Sequence, residues 1–421
     1  MRVREKLSLQ PTEFFKSRSW GAFIVLILCL ATSNTVWGQE ESLLEPGEEP
    51  PGENISLNLG ERTEITFGGA IWAQVLFNEF EQRETNARRG IHGSQFRISV
   101  SGSHTMNAAK NSKWIFSGQM RVFSFMTTLN HMWIGYQFND HHKIQVGATD
   151  VPFGILPSTS NSFWFSTGWY HGLEFDVDAG VSYRYTKGPL DIFAAYFANE
   201  EYNNASLNNR FSPDLINDGD MQQNEEKDQF NGRIAYTLGH GTSYNTEIGI
   251  SGEYGSIYNR LTDGHGDHWK AAAHIMANYD RWNFKAQFAR FEWRPNNPEG
   301  VDDDLILMGF WESPRLIAAK GNAMTVALKR YLDTGWENLP KVDVYFDYSR
   351  IFKDAAGFAD TELLNPGFVL HVGPVFLWND FIFARNGWWM NDSFENPGHG
   401  AGGIRPEKWE FRYNLEIMFF F

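Results

Sequence analysis

The chain has 421 residues, with 36 Lys and Arg against 51 Asp and Glu and a formal net charge of −15, and no nucleic-acid partner is expected of it. Aromatic residues make up 16 %, with 35 Phe and 16 Trp, more than an ordinary soluble domain needs. Beyond the N-terminal leader no window approaches 18 consecutive apolar residues, which excludes membrane-spanning helices.

The leader comes first. Arg2, Arg4, Lys6, Lys16 and Arg18 precede a short apolar run from Ala22 to Ala31, followed by Val36, Trp37 and Gly38. Positive charge, a short apolar core and a small residue, in that order, predict a secretory signal peptide over 1–38. About ten apolar residues are too few to cross roughly 30 Å of hydrocarbon as a helix. The only cysteine, Cys29, lies in this leader, so the mature chain can form no disulfide. Cleavage removes five basic and two acidic residues, taking the net charge from −15 to −18.

Residues 39–61 are expected to form an acidic periplasmic linker. Gln39 to Glu53 carries six glutamates, three prolines and no basic residue, a composition that cannot bury a core. From Arg62 to Phe421 the hydrophobic period is two. Ile65, Phe67, Ile71, Ala73, Val75 and Phe77 fall on one face, with Thr66, Gln74 and Asn78 on the other. The same alternation sets Phe96, Ile98 and Val100 against Arg97 and Ser99, and Val342, Val344, Phe346 and Tyr348 against Asp343 and Asp347. Alternation at every second residue means strand. The number of such segments and their length near ten residues favour a closed antiparallel transmembrane β-barrel of the all-β class over a half-buried soluble sheet.

Sixteen strands fit between about residues 62 and 421. Short turns alternate with long polar stretches at about 79–93, 151–177, 200–228, 255–267, 293–320, 352–367 and 390–407. An even count puts both barrel ends at the periplasm and these long stretches outside. Leu305 to Phe310 (LILMGF) also reads as a strand inside one of them, which leaves the count open by two. The last strand, Trp409 to Phe421, alternates Phe411, Tyr413, Leu415, Ile417, Phe419 and Phe421 with Arg412, Asn414 and Glu416. Charges at every second position require a watery interior, and the terminal aromatic resembles the signal by which outer-membrane barrels engage the barrel-assembly machinery. Outer-membrane lipid and lipopolysaccharide are the other expected partners.

About 16 strands enclose an aqueous channel, whereas about 8 enclose little beyond side chains. The alternation directs Arg97, Arg121, Arg184, Arg233, Lys270, Lys285, Asp343 and Asp347 toward that lumen as pore-lining candidates. The constriction candidate is 151–177, where Phe163, Trp164, Trp169 and Tyr170 cluster with Glu174 and Asp176. Aromatic faces beside carboxylates suit sugar rings; a plug that only packs is the alternative. Asp263-Gly-His-Gly-Asp-His268 holds metal-ligand residue types, but Gly and Asp are also plain turn formers, and neither a metal nor a cofactor is expected. Asp302, Asp303 and Asp304 could share a divalent ion with lipopolysaccharide or be a solvated charge run. His131 and His274 point inward, yet no G-x-S-x-G elbow occurs and the chain is not expected to be an enzyme.

Met132–Phe138 (MWIGYQF), a turn, Lys143–Gly147 (KIQVG) and Val151–Gly154 (VPFG) resemble the strand–turn–strand and "PFG" entry of the phosphate-selective porin O and P family. Ala179–Tyr185, Leu190–Tyr196 and Val342–Ser349 continue the resemblance. It implies a 16-stranded trimeric porin, in a family that includes pores whose arginines and lysines form a ladder for phosphate. The expected function is a water-filled channel for passive diffusion of small hydrophilic solutes or ions, sugar-like or cationic. Phosphate or anion selectivity is the alternative from the resemblance; a plugged structural barrel or an outer-membrane hydrolase are alternatives of other classes.

Overall fold

The computed structural model describes residues 55–79, 88–206, 208–217, 222–387 and 408–421. The expected signal peptide over 1–38 and the acidic run to Glu53 lie outside them. In chain order the strands are β1 (Ile55–Leu59), β2 (Thr63–Asn78), β3 (Arg89–Asn107), β4 (Ser112–Phe123), β5 (Thr127–Gln137), β6 (His142–Asp150) and β7 (Val177–Lys187). Then come β8 (Leu190–Glu200), β9 (Asp214–Leu215), β10 (Asn224–Leu238), β11 (Tyr244–Asn259), β12 (Gly264–Tyr279) and β13 (Trp282–Arg294). The last are β14 (Leu305–Phe310), β15 (Ser313–Ala318), β16 (Lys320–Trp336), β17 (Leu339–Lys353), β18 (Thr361–Val372), β19 (Val375–Arg385) and β20 (Glu410–Phe420).

Sixteen of these close an antiparallel barrel in which each strand pairs with the next wall strand along the chain. Closure comes where β20 pairs with β2, from Ala70↔Phe420 to Asn78↔Arg412. Gly69 and Phe421 then exchange both backbone hydrogen bonds, at 2.8 and 3.0 Å. A Cβ on Gly69 would lie 2.7 Å from both the Arg97 carbonyl oxygen and the Phe421 ring, so this closing position requires glycine. Closure matters because a barrel alone leaves no unpaired strand edge in lipid.

β1 takes the same edge of β2 just below the chain terminus, with Ile55↔Phe67 and Leu59↔Thr63. The linker expected over 39–61 is therefore too long by this strand. Ile55, Leu57 and Leu59 alternate, but the run is only five residues and borders the Glu/Pro-rich stretch.

The two faces separate as the period of two dictates. Ile134 and Ile250 are 60 % and 62 % exposed on the outer face, whereas Arg121 and Lys285 are fully buried inside. Two stretches read as long outer loops, 255–267 and 352–367, are mostly strand: Asn259↔Gly264 still pairs at the top of β11 and β12, and Ile351↔Thr361 at the top of β17 and β18. Above the hydrocarbon both faces of a strand meet water, so the apolar alternation stops while the hydrogen-bonded ladder continues. β14 adds no pair to the wall. It forms a small sheet with β15 and β9 inside the loops, and the barrel count stays at sixteen.

Candidate functional site

Residues 151–176 leave β6 and enter the barrel. All but Leu156, Pro157 and Phe175 are buried. An irregular segment can be buried only if its backbone groups find partners, and the inward side chains of β10, β11, β12, β13 and β17 supply them. The Ser251 hydroxyl accepts from the Gly154 N–H at 2.9 Å, and the Arg233 Nε donates to the Gly154 carbonyl at 2.7 Å. Gln287 Oε1 accepts from the Ile155 N–H and from the Thr159 hydroxyl at 2.9 and 3.0 Å. Lys285 Nζ donates to the Ser158 carbonyl and Lys270 Nζ to the Gly172 carbonyl, each at 3.3 Å. Asp347 accepts the N–H groups of Asn161 and Ser162 at 2.6 and 2.8 Å and the Asn161 amide at 2.9 Å. Gly154, at φ +62°, is held so close to Gln287 that a Cβ would overlap its amide.

Four of the sequence-predicted lumenal residues, Arg233, Lys270, Lys285 and Asp347, are thus brought together on one segment as its anchors. Arg233 also pairs with Asp191 at 3.0 Å and Glu247 at 2.6 Å, and Lys270 with Glu253 at 2.7 Å. Arg184 is further down the wall, half-exposed, with Asp191 at 2.8 Å. Asp343 meets His371 at 3.0 Å. Register sets Arg97 of β3 directly opposite Arg121 of β4, both buried. Their guanidinium groups lie over Trp72 at 4.8 Å and over Phe211 at 4.3 Å.

Glu174 bridges its own loop and the wall, accepting from the hydroxyls of Ser158 at 2.8 Å and of Thr325 on β16 at 3.0 Å. The four candidate aromatics face the opposite wall and the neighbouring loops. Phe163 packs edge-on to Trp72 at 5.2 Å and lies 5.6 Å from Trp378; Trp164 lies 5.7 Å from Trp72 and 5.2 Å from Phe211. Trp169 meets Phe310 and Trp311 at 5.1 and 5.0 Å, and Tyr170 meets Phe310 at 5.8 Å. These rings stack on protein, and Trp169 is 1 % exposed. His171 donates from Nδ1 to the Thr167 carbonyl at 3.0 Å, and burial, reinforced by the Lys353 charge, pushes its imidazole down to about 3.

Two further loops complete the filling. In 201–217, Arg210 is fully buried against Asp214 at 2.6 Å, Glu201 at 2.9 Å and Glu200 at 3.6 Å. β9 in that loop pairs with β14, which brings Phe310 and Trp311 onto Trp169. Asp176 joins Asp178 and Asp214 in a buried carboxylate cluster. The sequence reading missed Trp72, Phe211, Gln287, Arg210 and Trp378. Trp72 and Trp378 carry a signal, since each is a large aromatic in the inward phase of its strand.

Other constellations resolve differently. Asp263 lies in the turn before β12 and accepts from the Tyr258 hydroxyl at 2.8 Å, and along the strand Asp267 pairs outward with Arg294 at 2.5 Å while His268 is buried inside. Asp302 caps the Asp304 N–H at 2.9 Å, and Asp303 takes the Asn297 amide at 2.9 Å. His131 lies 2.8 Å from the Ser117 hydroxyl, and His274 lies 3.1 Å from Glu247. The β4 and β5 N–H groups around Ser117 are spent in the sheet ladder, so the Ser–His contact lacks the paired donors an oxyanion needs.

The fold recurs in solved structures of outer-membrane proteins. The outer membrane channel DcaP of Acinetobacter baumannii is 12 % identical over 87 % of this chain and 99 % of its own, with a TM-score of 0.55. The anion-selective porin of Comamonas acidovorans is 11 % identical over 85 % and 100 %, at 0.54. The in-vitro folded, trimer form of OmpT from Vibrio cholerae is 12 % identical over 86 % and 100 %, at 0.53. The fold is that of the outer-membrane porins. The chain is accordingly a multi-pass β-barrel of the outer membrane. No family model matches it, and no curated protein sequence does.

Proposed function

We propose that this barrel is a passive diffusion channel for small hydrophilic solutes or ions, narrowed by 151–176 together with the loops at 201–217 and 295–319. The observation that carries the reading is the anchoring of 151–176 across a sixteen-strand lumen, from Gly154 on Arg233 to Asn161 on Asp347. A wall of that size leaves a wide aqueous bore unless something folds into it, and a narrow bore is what discriminates solutes by size. The constriction role of Phe163, Trp164, Trp169 and Tyr170 in this reading is to wedge the loops in place rather than to offer open stacking faces. Assembly as a homotrimer belongs to the same proposal, supported by the trimer form of the Vibrio cholerae neighbour.

A second reading, anion or phosphate selectivity, is favoured by one observation. Arg97 and Arg121 stand opposite each other at the level of the loop aromatics, and two like charges in register set a positive potential there. The neighbour from Comamonas acidovorans is itself described as anion-selective, and the resemblance to the phosphate-selective porin O and P family points the same way. Purified protein in a planar bilayer under a salt gradient tests both readings. Stepwise conductance supports the channel, and a reversal potential toward the anion that shrinks in Arg97→Gln/Arg121→Gln supports the second. Silence overturns both.

A further inference from the structure

The geometry points to a binding site for a hard divalent cation of the calcium class, held by Asp176, Asp178 and Asp214 where 151–176 rejoins the wall. One carboxylate oxygen from each of the three lies within 4.8 Å of the others, and all three side chains are buried. Asp178 Oδ1 accepts no hydrogen bond. Beside them stands Gln229, 2 % exposed, whose amide nitrogen donates to Asp178 Oδ2 at 3.0 Å. Its Oε1, on the same amide group, also accepts no hydrogen bond. A neutral amide oxygen left without a donor beside a carboxylate is costly unless a cation takes it. Carboxylate oxygens fit calcium, which takes six to eight oxygens, better than a transition metal.

Charge balance points the same way. Glu226 and Glu253 also act on Asp178. Lys270 is committed to Glu253, and Arg210 is shared by Asp214, Glu200 and Glu201. Buried carboxylates thus outnumber the cations paired with them among the described residues. Buried charge in such excess needs a counter-ion or protons. The ion would bind where three pieces meet. Asp176 closes the base of its loop, its carbonyl accepting from Val151 N–H at 2.9 Å. Asp178 belongs to β7, and Asp214 pairs with Gly309 of β14. One ion there ties the loop root, the wall and the other two loops together.

The test uses the full chain purified in detergent, stripped with a chelator, re-equilibrated with calcium chloride alone and freed of excess by gel filtration. Elemental analysis should find one calcium per protomer, unaffected by Asp302→Asn/Asp304→Asn. Retention should fall at least tenfold in Asp178→Asn/Asp214→Asn, with heat-modifiable gel migration reporting that the barrel still forms. Should that pair fail to fold, Asp176→Asn alone should weaken calcium binding tenfold by calorimetry. Wild-type protein that retains no calcium, or retention lost with the Asp302/Asp304 pair and kept without the buried carboxylates, overturns the site.

Discussion

Asp347 of the barrel wall holds Asn161 by two hydrogen bonds, one from its backbone N–H at 2.6 Å and one from its side-chain amide at 2.9 Å. The same carboxylate takes the Ser162 N–H, so three donors from the tip of the inserted loop converge on one side chain. Hydrogen bonds to a charged acceptor contribute about 1.5–3 kcal/mol each. Asp347→Ala should therefore loosen the loop tip by at least about 3 kcal/mol while the Gly154 anchors hold its root. Raised and noisier single-channel current is the expected result, with the heat-modifiable barrel intact.

Arg210 offers a second test, because its guanidinium is the shared partner of Glu200, Glu201 and Asp214 in a fully buried site. Breaking one side of a buried ion network costs about 3–5 kcal/mol, since the remaining charges stay desolvated. Arg210→Gln should release 201–217 from the aromatic cluster. Limited proteolysis of intact membranes is expected to cut that loop in the variant and spare it in the wild type.

His171 makes the packing of the loop depend on pH. Its imidazole is pushed down to about 3 by burial, whereas an exposed imidazole titrates near 6.5. The released loop binds the proton more readily than the packed one, so packing is fully favoured above about pH 6.5 and weakens as pH falls toward 3. Wild-type current should become larger or noisier between pH 7 and 4. In His171→Phe, which keeps a ring against Phe291, that component should vanish, and the difference between the two proteins isolates the imidazole.

Closure of the barrel depends on Gly69, where a Cβ would press on both the Arg97 carbonyl and the Phe421 ring. Gly69→Ala should lower the temperature at which the folded band converts on a denaturing gel. Gly232→Ala, where a Cβ meets nothing within 4 Å, should leave that temperature unchanged.

The wall was readable because a period of two leaves its mark wherever one face meets lipid and the other does not. Of the charged residues expected inward from that phase, Arg233, Lys270, Lys285 and Asp347 meet the inserted segment. The alternation stops where a strand leaves the hydrocarbon, which is why β11, β12, β17 and β18 were read too short. The loop contacts were not readable, because nothing in the spacing of Asp347 and Asn161 says that 186 residues of chain bring them together. Two inward tryptophans did carry a signal. Trp72 and Trp378 each break a polar phase, and both are contacts of Phe163.

Removal of the inserted segment tests the narrowed channel most directly. Wild-type protein and a variant with residues 158–170 replaced by a short Gly-Ser linker should be compared as single channels in a planar bilayer. A narrowed diffusion channel predicts small, discrete steps for the wild type and steps several-fold larger for the variant. Equal conductance in the two proteins, or no conductance in either, would contradict it.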